Sequence, residues 1–189
     1  MELFRLEHSR AAYCADFAMY GAAVILLAGF LTEYAPAGQR AVMLALALVG
    51  LMSWTGIEYV LHRFVLHGID PFRRWHAQHH QRPSALIAAP TILSASLIAS
   101  LVFLPALLVL NGWRAGALTL GVLTGYVAYA VTHHATHHWR ADNAWLAQRK
   151  RWHALHHHQV EHPGCYGVTS GFWDRVFGSA PRSGASLRG

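Results

Sequence analysis

The chain has 189 residues, enough for one domain, and 54% of them are hydrophobic while only 13% are charged. Soluble domains carry about 25% charged residues, so the composition excludes an ordinary soluble globule and points to the bilayer. The net charge of +6 does not indicate a nucleic-acid binder, because the arginines stand between apolar segments and form no basic stripe; they read as topology signals.

Residues 1–16 form a mixed polar N-terminal segment, and the apolar run that follows is too long for the core of a cleavable signal peptide. A helix needs about 20 predominantly apolar residues to cross the hydrocarbon core. Four stretches qualify: residues 17–34, with Glu33 near the end; 41–61, with Glu58 near the end; 86–110, uncharged, where Pro90 and Pro105 predict kinks; and 115–132. The linkers 35–40 and 111–114 are short, so the spans pair into two helical hairpins. Of the fifteen lysines and arginines, only Arg40 and Arg114 fall in those linkers. The positive-inside bias therefore predicts cytoplasmic termini and a cytoplasmic location for every histidine cluster. A single lysine, Lys150, among many arginines and alanines associates the chain with a high-GC bacterial genome and hence a bacterial inner membrane. Cys14 and Cys165 form no CxxC and predict neither a disulfide framework nor a cysteine zinc site. The small, polar residues 180–189 are expected to be disordered. The predicted architecture is a single all-α integral membrane domain over 1–189: four transmembrane helices as two hairpins, with a cytosolic helical cap that holds a dimetal histidine site.

Fourteen of the fifteen histidines lie between His62 and His162, in four bursts. The first, His62 and His67, ends the second span; the second is His76, His79 and His80. The third, beginning His133-His134 and ending His137-His138, closes the fourth span. The last runs from His153 through His156, His157 and His158. Residues at i, i+3 and i+4 share a helix face, so each triplet projects together and His133 stacks over His137. The five-residue spacing of His62 and His67 is about 140° around an ideal helix and predicts a distorted or ending helix. Arg73-Arg-Trp-His-Ala-Gln-His-His80 repeats as Lys150-Arg-Trp-His-Ala-Leu-His-His157. Each half thus offers five imidazoles, and two halves suggest two metals about a pseudo-twofold axis. His134, His138, His158 and His162 are redundant in that count and read as neighbours of the ligands or surface residues.

Imidazole suits zinc, copper, iron and nickel. Ten histidines without a cysteine exceed one closed zinc site, so two redox-active irons that activate oxygen are the expected cofactors, with two zincs the alternative. Ligand rings usually need an outer hydrogen-bond partner; Glu58, one turn before His62, and Asp174 are the candidates. A site just under the spans can draw electrons from a soluble donor and receive a lipid chain from the bilayer. The expected reaction is hydroxylation of a lipid C–H bond; desaturation, or hydroxylation of a sterol or carotenoid, is the alternative. A metal transporter would need polar ligands near the bilayer midplane, where the spans have none.

At these residues the sequence resembles the fatty acid hydroxylase superfamily, which includes fatty acyl 2-hydroxylases, sterol desaturases and carotenoid hydroxylases. The resemblance covers residues 58–179. It rests on the four histidine boxes, on Tyr129 four residues ahead of His133, and on the tail Tyr166-Gly-Val-Thr-Ser-Gly-Phe-Trp-Asp-Arg-Val-Phe-Gly178. It implies one metal held by His62, His67, His76, His80 and His157, and a second held by His79, His133, His137, His153 and His156. Tyr129 joins Glu58 and Asp174 as a candidate for the surrounding shell. The family's usual aspartate after that tyrosine is replaced by Ala130, and residues 81–91 form a shorter segment without an acidic residue. No fused haem domain is expected, which implies a separate electron donor such as a ferredoxin.

Overall fold

The structure, a computed structural model, describes residues 6–158 and 164–181. Among them there are helices and a single isolated bridge but no strand. Within a bilayer every backbone polar group must be satisfied inside the segment, and the helices do this. In chain order they are α1 (Arg10–Tyr34), a 3-10 turn (Ala37–Gln39), α2 (Arg40–Val60) with a π-turn (Leu61–Leu66), and α3 (Phe72–Gln81). Then come α4 (Thr91–Ile98), a second π-turn (Ala99–Phe103), α5 (Leu104–Val109), α6 (Gly112–His138), α7 (Ala144–His158) and α8 (Phe172–Val176).

Four helical stretches are long and apolar enough to cross a membrane: Arg10–Tyr34, Ala37–Leu66, Thr91–Val109 and Gly112–His138. The protein is a multi-pass integral membrane protein. Residues such as Ile25, Leu26 and Leu108 are more than 70% exposed, which is tolerable only where lipid replaces water. The third span starts at Thr91, five residues later than its hydropathy predicts. Pro90 is extended, with φ −56° and ψ 131°, so it begins the helix and does not kink it. Residues 86–88 pair with the N-terminal segment instead, through His8 N–H to Leu86 O (2.9 Å) and Ala88 N–H to Leu6 O (3.2 Å). Pro105 follows the second π-turn; the wider turn accommodates a residue that brings no N–H to the ladder.

The chain divides into two compact units, Met1–Trp54 with Leu86–Val127, and Thr55–Ala85 with Ala128–Gly189. In the first unit α2 and α6 meet backbone to backbone. A Cβ on Gly121 would overlap the Ala47 carbonyl, and one on Gly50 would overlap the Leu118 carbonyl. Small residues permit this approach, and close packing is what drives helix association in lipid. Around the crossing, Tyr126 takes Tyr20 and Trp54 edge-on at 4.7 and 5.4 Å between ring centroids. Tyr20 hydrogen-bonds Ser94 at 2.7 Å, tying α1 to α4. The two hairpin linkers touch through Asn111 Nδ2–H to Gln39 Oε1 (2.9 Å). In the second unit, Asn143 Oδ1 accepts Leu146 N–H and starts α7. Lys150 Nζ donates to the Thr136 and Trp139 carbonyls, both at 2.8 Å, and closes the end of α6. Ala180 N–H reaches Asp174 O at 3.0 Å; the rest of the expected disordered tail, residues 182–189, lies outside the described residues.

Gly121→Val should lower stability by about 1–3 kcal/mol or more through overpacking, read as the thermal midpoint in detergent. Gly21→Ala, where an added Cβ meets nothing, should leave it unchanged or raise it slightly.

Candidate metal centre

The second unit brings the histidine bursts together. His62, His67, His76, His80 and His156 form one group and His79, His133, His137 and His153 another, with the ligand atoms of each within 4.8 Å of one another. His157 stands between the groups: its ring stacks on His80 at 4.1 Å and lies 4.9 Å from the rings of His79 and His137, while its Nε2, 3.1 Å from that of His153, assigns it to the second.

Local backbone geometry explains this placement. The π-turn carries an i→i+5 bond from His67 N–H to His62 O (3.2 Å), which brings residues five apart onto one face. In α3 and α7 the ideal 100° per residue leaves i and i+4 close together and turns i+3 away from i+4. His76 and His80 therefore stay in the first group while His79 turns to the second. In α7, His153 and His157 stay in the second group while His156 turns to the first. The two halves thus exchange one histidine each, the middle one of each triplet. This differs from the five-per-half partition of the repeat. It also differs from the sets the family resemblance implied, with His156 and His157 in exchanged positions. His134 and His138 stack on each other at 4.4 Å outside both groups, His158 is exposed, and His162 lies outside the described residues.

The outer partners fix the rings. His62 Nδ1 is 2.6 Å from Tyr166 O and His156 Nδ1 is 2.8 Å from Gly164 O. A carbonyl only accepts, so both rings carry their proton on Nδ1 and present a bare Nε2 lone pair. The carbonyls belong to the segment 164–169, and Glu58 and Asp174 hold that segment. Asp174, with no exposed surface, accepts Tyr166 N–H (2.8 Å) and Gly167 N–H (2.9 Å). Glu58 accepts the Val168 and Thr169 N–H groups and the Thr169 hydroxyl. A Cβ on Gly167 would crowd the Asp174 carboxylate, so the close approach requires glycine. Neither carboxylate hydrogen-bonds a histidine among the described residues; both act through the segment between. Tyr129 stacks on His133, with centroids 5.8 Å apart and planes 7° apart.

Sequence reasoning missed Gly164 and Tyr166 as carbonyl acceptors, and Thr169, Ser179 and Lys150 as braces. Ser179 Oγ bonds both Asp174 Oδ1 (2.8 Å) and the Tyr59 hydroxyl (2.9 Å). The available signal was the glycine-rich run 164–171 followed by a buried aspartate in an otherwise apolar chain.

The donor set suits a metal. Imidazole nitrogens bound to one ion at about 2.0–2.1 Å stand about 2.9 Å apart when at right angles. The first group has Nε2–Nε2 separations of 3.0 Å for His62–His76, 3.0 Å for His76–His80 and 3.1 Å for His67–His156. The second has 3.1 Å for His79–His133 and 2.7 Å for His137–His153. Burial, with neighbouring imidazoles adding to it, holds the rings uncharged at neutral pH. His67 is pushed down to about 4 and His79 to about 3, and His76, His153 and His156 lie well below the usual value. Neutral imidazole is the metal-binding form.

The fatty acid hydroxylase family matches residues 47–179. The ceramide very long chain fatty acid hydroxylase scs7 of Schizosaccharomyces pombe is 36% identical over 146 residues, covering 70% of this chain and 41% of that protein. The dihydroceramide fatty acyl 2-hydroxylase FAH2 of Arabidopsis thaliana is 36% identical over 143 residues, covering 70% and 59%. The fatty acid 2-hydroxylase of Rattus norvegicus is 30% identical over 165 residues, covering 80% and 44%. The chain spans about half the length of these relatives. A solved structure described as full-length scs7p with only the hydroxylase domain visible superposes with a TM-score of 0.79 at 25% identity. It covers 97% of this chain and 71% of that one. The chain belongs to the fatty acid hydroxylase family.

Proposed function

We propose that this protein is a membrane-bound monooxygenase that hydroxylates a C–H bond of a lipid or fatty acyl chain. The overall reaction takes one C–H bond, one O2, two electrons and two protons to an alcohol and one water. The observation that carries the reading is the pair of neighbouring all-histidine groups in a multi-pass membrane protein of this family; the relatives named above are hydroxylases of fatty acyl chains or ceramides. Two metal ions, iron in this reading, would supply the reductive activation of O2.

His62, His67, His76, His80 and His156 would hold one ion and His79, His133, His137, His153 and His157 the other. The Gly164 and Tyr166 carbonyls fix the proton of His156 and His62 on Nδ1, so that Nε2 stays free to bind. Glu58 and Asp174 keep those carbonyls in place. The Tyr166 ring, edge-on to His67 and His156 at 5.5 Å, and the Tyr129 ring over His133 shield the imidazoles from water. The acyl chain would arrive from the bilayer. Electrons would come from a separate soluble donor such as a ferredoxin; the exposed Arg73, Arg74, Arg82, Arg140, Arg151 and Arg175 suit an acidic one. In this reading both termini face the cytoplasm of a bacterium and the protein lies in the inner membrane, as the scarcity of basic residues in the two linkers supports.

Purified protein in lipid nanodiscs, supplied with reductant and 18O2, should add one labelled oxygen atom to an acyl chain, read by mass spectrometry. His76→Ala and His153→Ala should each reduce product to background. An alkene product, or unlabelled hydroxyl, would contradict the reading. The depressed histidines also fix a pH dependence. At pH above about 6.5 they are neutral folded or unfolded and contribute nothing to the pH slope. As pH falls from there towards about 4, where His67 titrates, the unfolded chain takes up more protons than the folded one. Metal-free protein should therefore lose thermal stability on acidification through that window, followed by tryptophan fluorescence, and a midpoint rising on acidification would contradict it.

A further inference from the structure

The two histidine groups differ in what stands behind them. In the first, His62 and His156 each rest Nδ1 on a backbone carbonyl. Both carbonyls lie in the segment 164–169, all four of whose amides from Tyr166 to Thr169 end on a buried carboxylate. In the second, the Nδ1 atoms of His79, His153 and His157 are buried and have no hydrogen-bond partner among the described residues. Those rings face their neighbours through Nε2, so a ring that binds a cation there keeps its proton on the unpartnered Nδ1. A buried N–H without an acceptor is costly. An outer acceptor has the opposite effect: it fixes the tautomer, orients the ring and raises its basicity, and losing one typically costs about 10–100-fold in metal affinity.

We infer that the two sites are unequal: the one built on His62, His67, His76, His80 and His156 binds its ion at least about ten-fold more tightly than the one built on His79, His133, His137, His153 and His157. The tight site fills first and empties last. Glu58 and Asp174 are positioning residues for the tight site alone, acting through the Gly164 and Tyr166 carbonyls. The asymmetry is not visible in the repeat, whose two copies are nearly identical, because the bracing segment follows only the second copy. The inference rests on the metal-centre reading above.

The test is Zn2+ titration of metal-stripped full chain in detergent against a competing chelator, with bound metal counted by mass spectrometry. Wild-type protein should bind two ions in steps separated by at least about ten-fold. His137→Ala should remove the weaker step and keep the tighter; His76→Ala should do the reverse. Asp174→Asn should weaken the tighter step about 10–100-fold and leave the weaker one in place. Thr169→Val, which removes only the hydroxyl bond to Glu58, should shift the same step in the same direction by less. Two equal steps in wild type would overturn the inference and leave the metal centre standing, as would loss of the tighter step in His137→Ala. Wild-type protein that binds no Zn2+ would overturn both. Should Asp174→Asn not fold, the wild-type steps and the two histidine variants still decide.

Discussion

The hydrogen bonds from His62 and His156 to backbone carbonyls are the constraint on which the centre depends. A buried imidazole can direct a lone pair at a metal only if its other nitrogen has somewhere to put its proton. In a unit packed with histidines, most nearby rings are competing for the same space and offer no spare acceptor. The fold supplies acceptors from the backbone, by laying residues 164–169 against the rings so that the Gly164 and Tyr166 carbonyls face them. Cys165, between the two carbonyls, adopts a φ of 56°, a conformation uncommon outside glycine, and its side chain is buried against Trp152 and Leu155. Packing thus holds the turn that aims both carbonyls.

That arrangement reassigns the acidic residues. In a buried site a carboxylate near histidine ligands invites the reading that it bonds a ring directly. Here Glu58 and Asp174 collect the four consecutive amide groups of Tyr166 to Thr169, and the same segment presents the Gly164 and Tyr166 carbonyls to the rings. The same economy appears in the braces. Ser179 links Asp174 to Tyr59, and the Tyr59 hydroxyl accepts from Arg63 Nη1 at 2.5 Å, beside His62 in sequence. The tail of the chain and the π-turn after α2 are therefore one hydrogen-bonded assembly.

Much of the fold was legible in the sequence because lipid imposes a strict length and polarity on each span. The four helices follow the hydropathy, and the errors fall where a local backbone event intervenes: Pro90 starts a helix that composition alone would begin at Leu86. The histidine boxes were legible as boxes. Their partition was legible in part: the family resemblance already set His79 with His133, His137 and His153, where it is found, but placed His156 there too. His79 and His156 cross because i+3 on a helix points away from i+4. The π-turn at His62 and His67 was foreshadowed only as a distortion, since a five-residue spacing says that an ideal helix fails without saying how. The carbonyls of Gly164 and Tyr166 left only the glycine-rich run around them as a sign, because a backbone acceptor does not show in side-chain identity.

The crossing of the middle histidines can be seen by anomalous diffraction at the metal absorption edge from metal-loaded protein. Two peaks are expected, one bound by His156 together with His76 and His80, the other by His79 together with His133 and His153. A single peak, or two peaks with His79 on the same ion as His76 and His80, would contradict it.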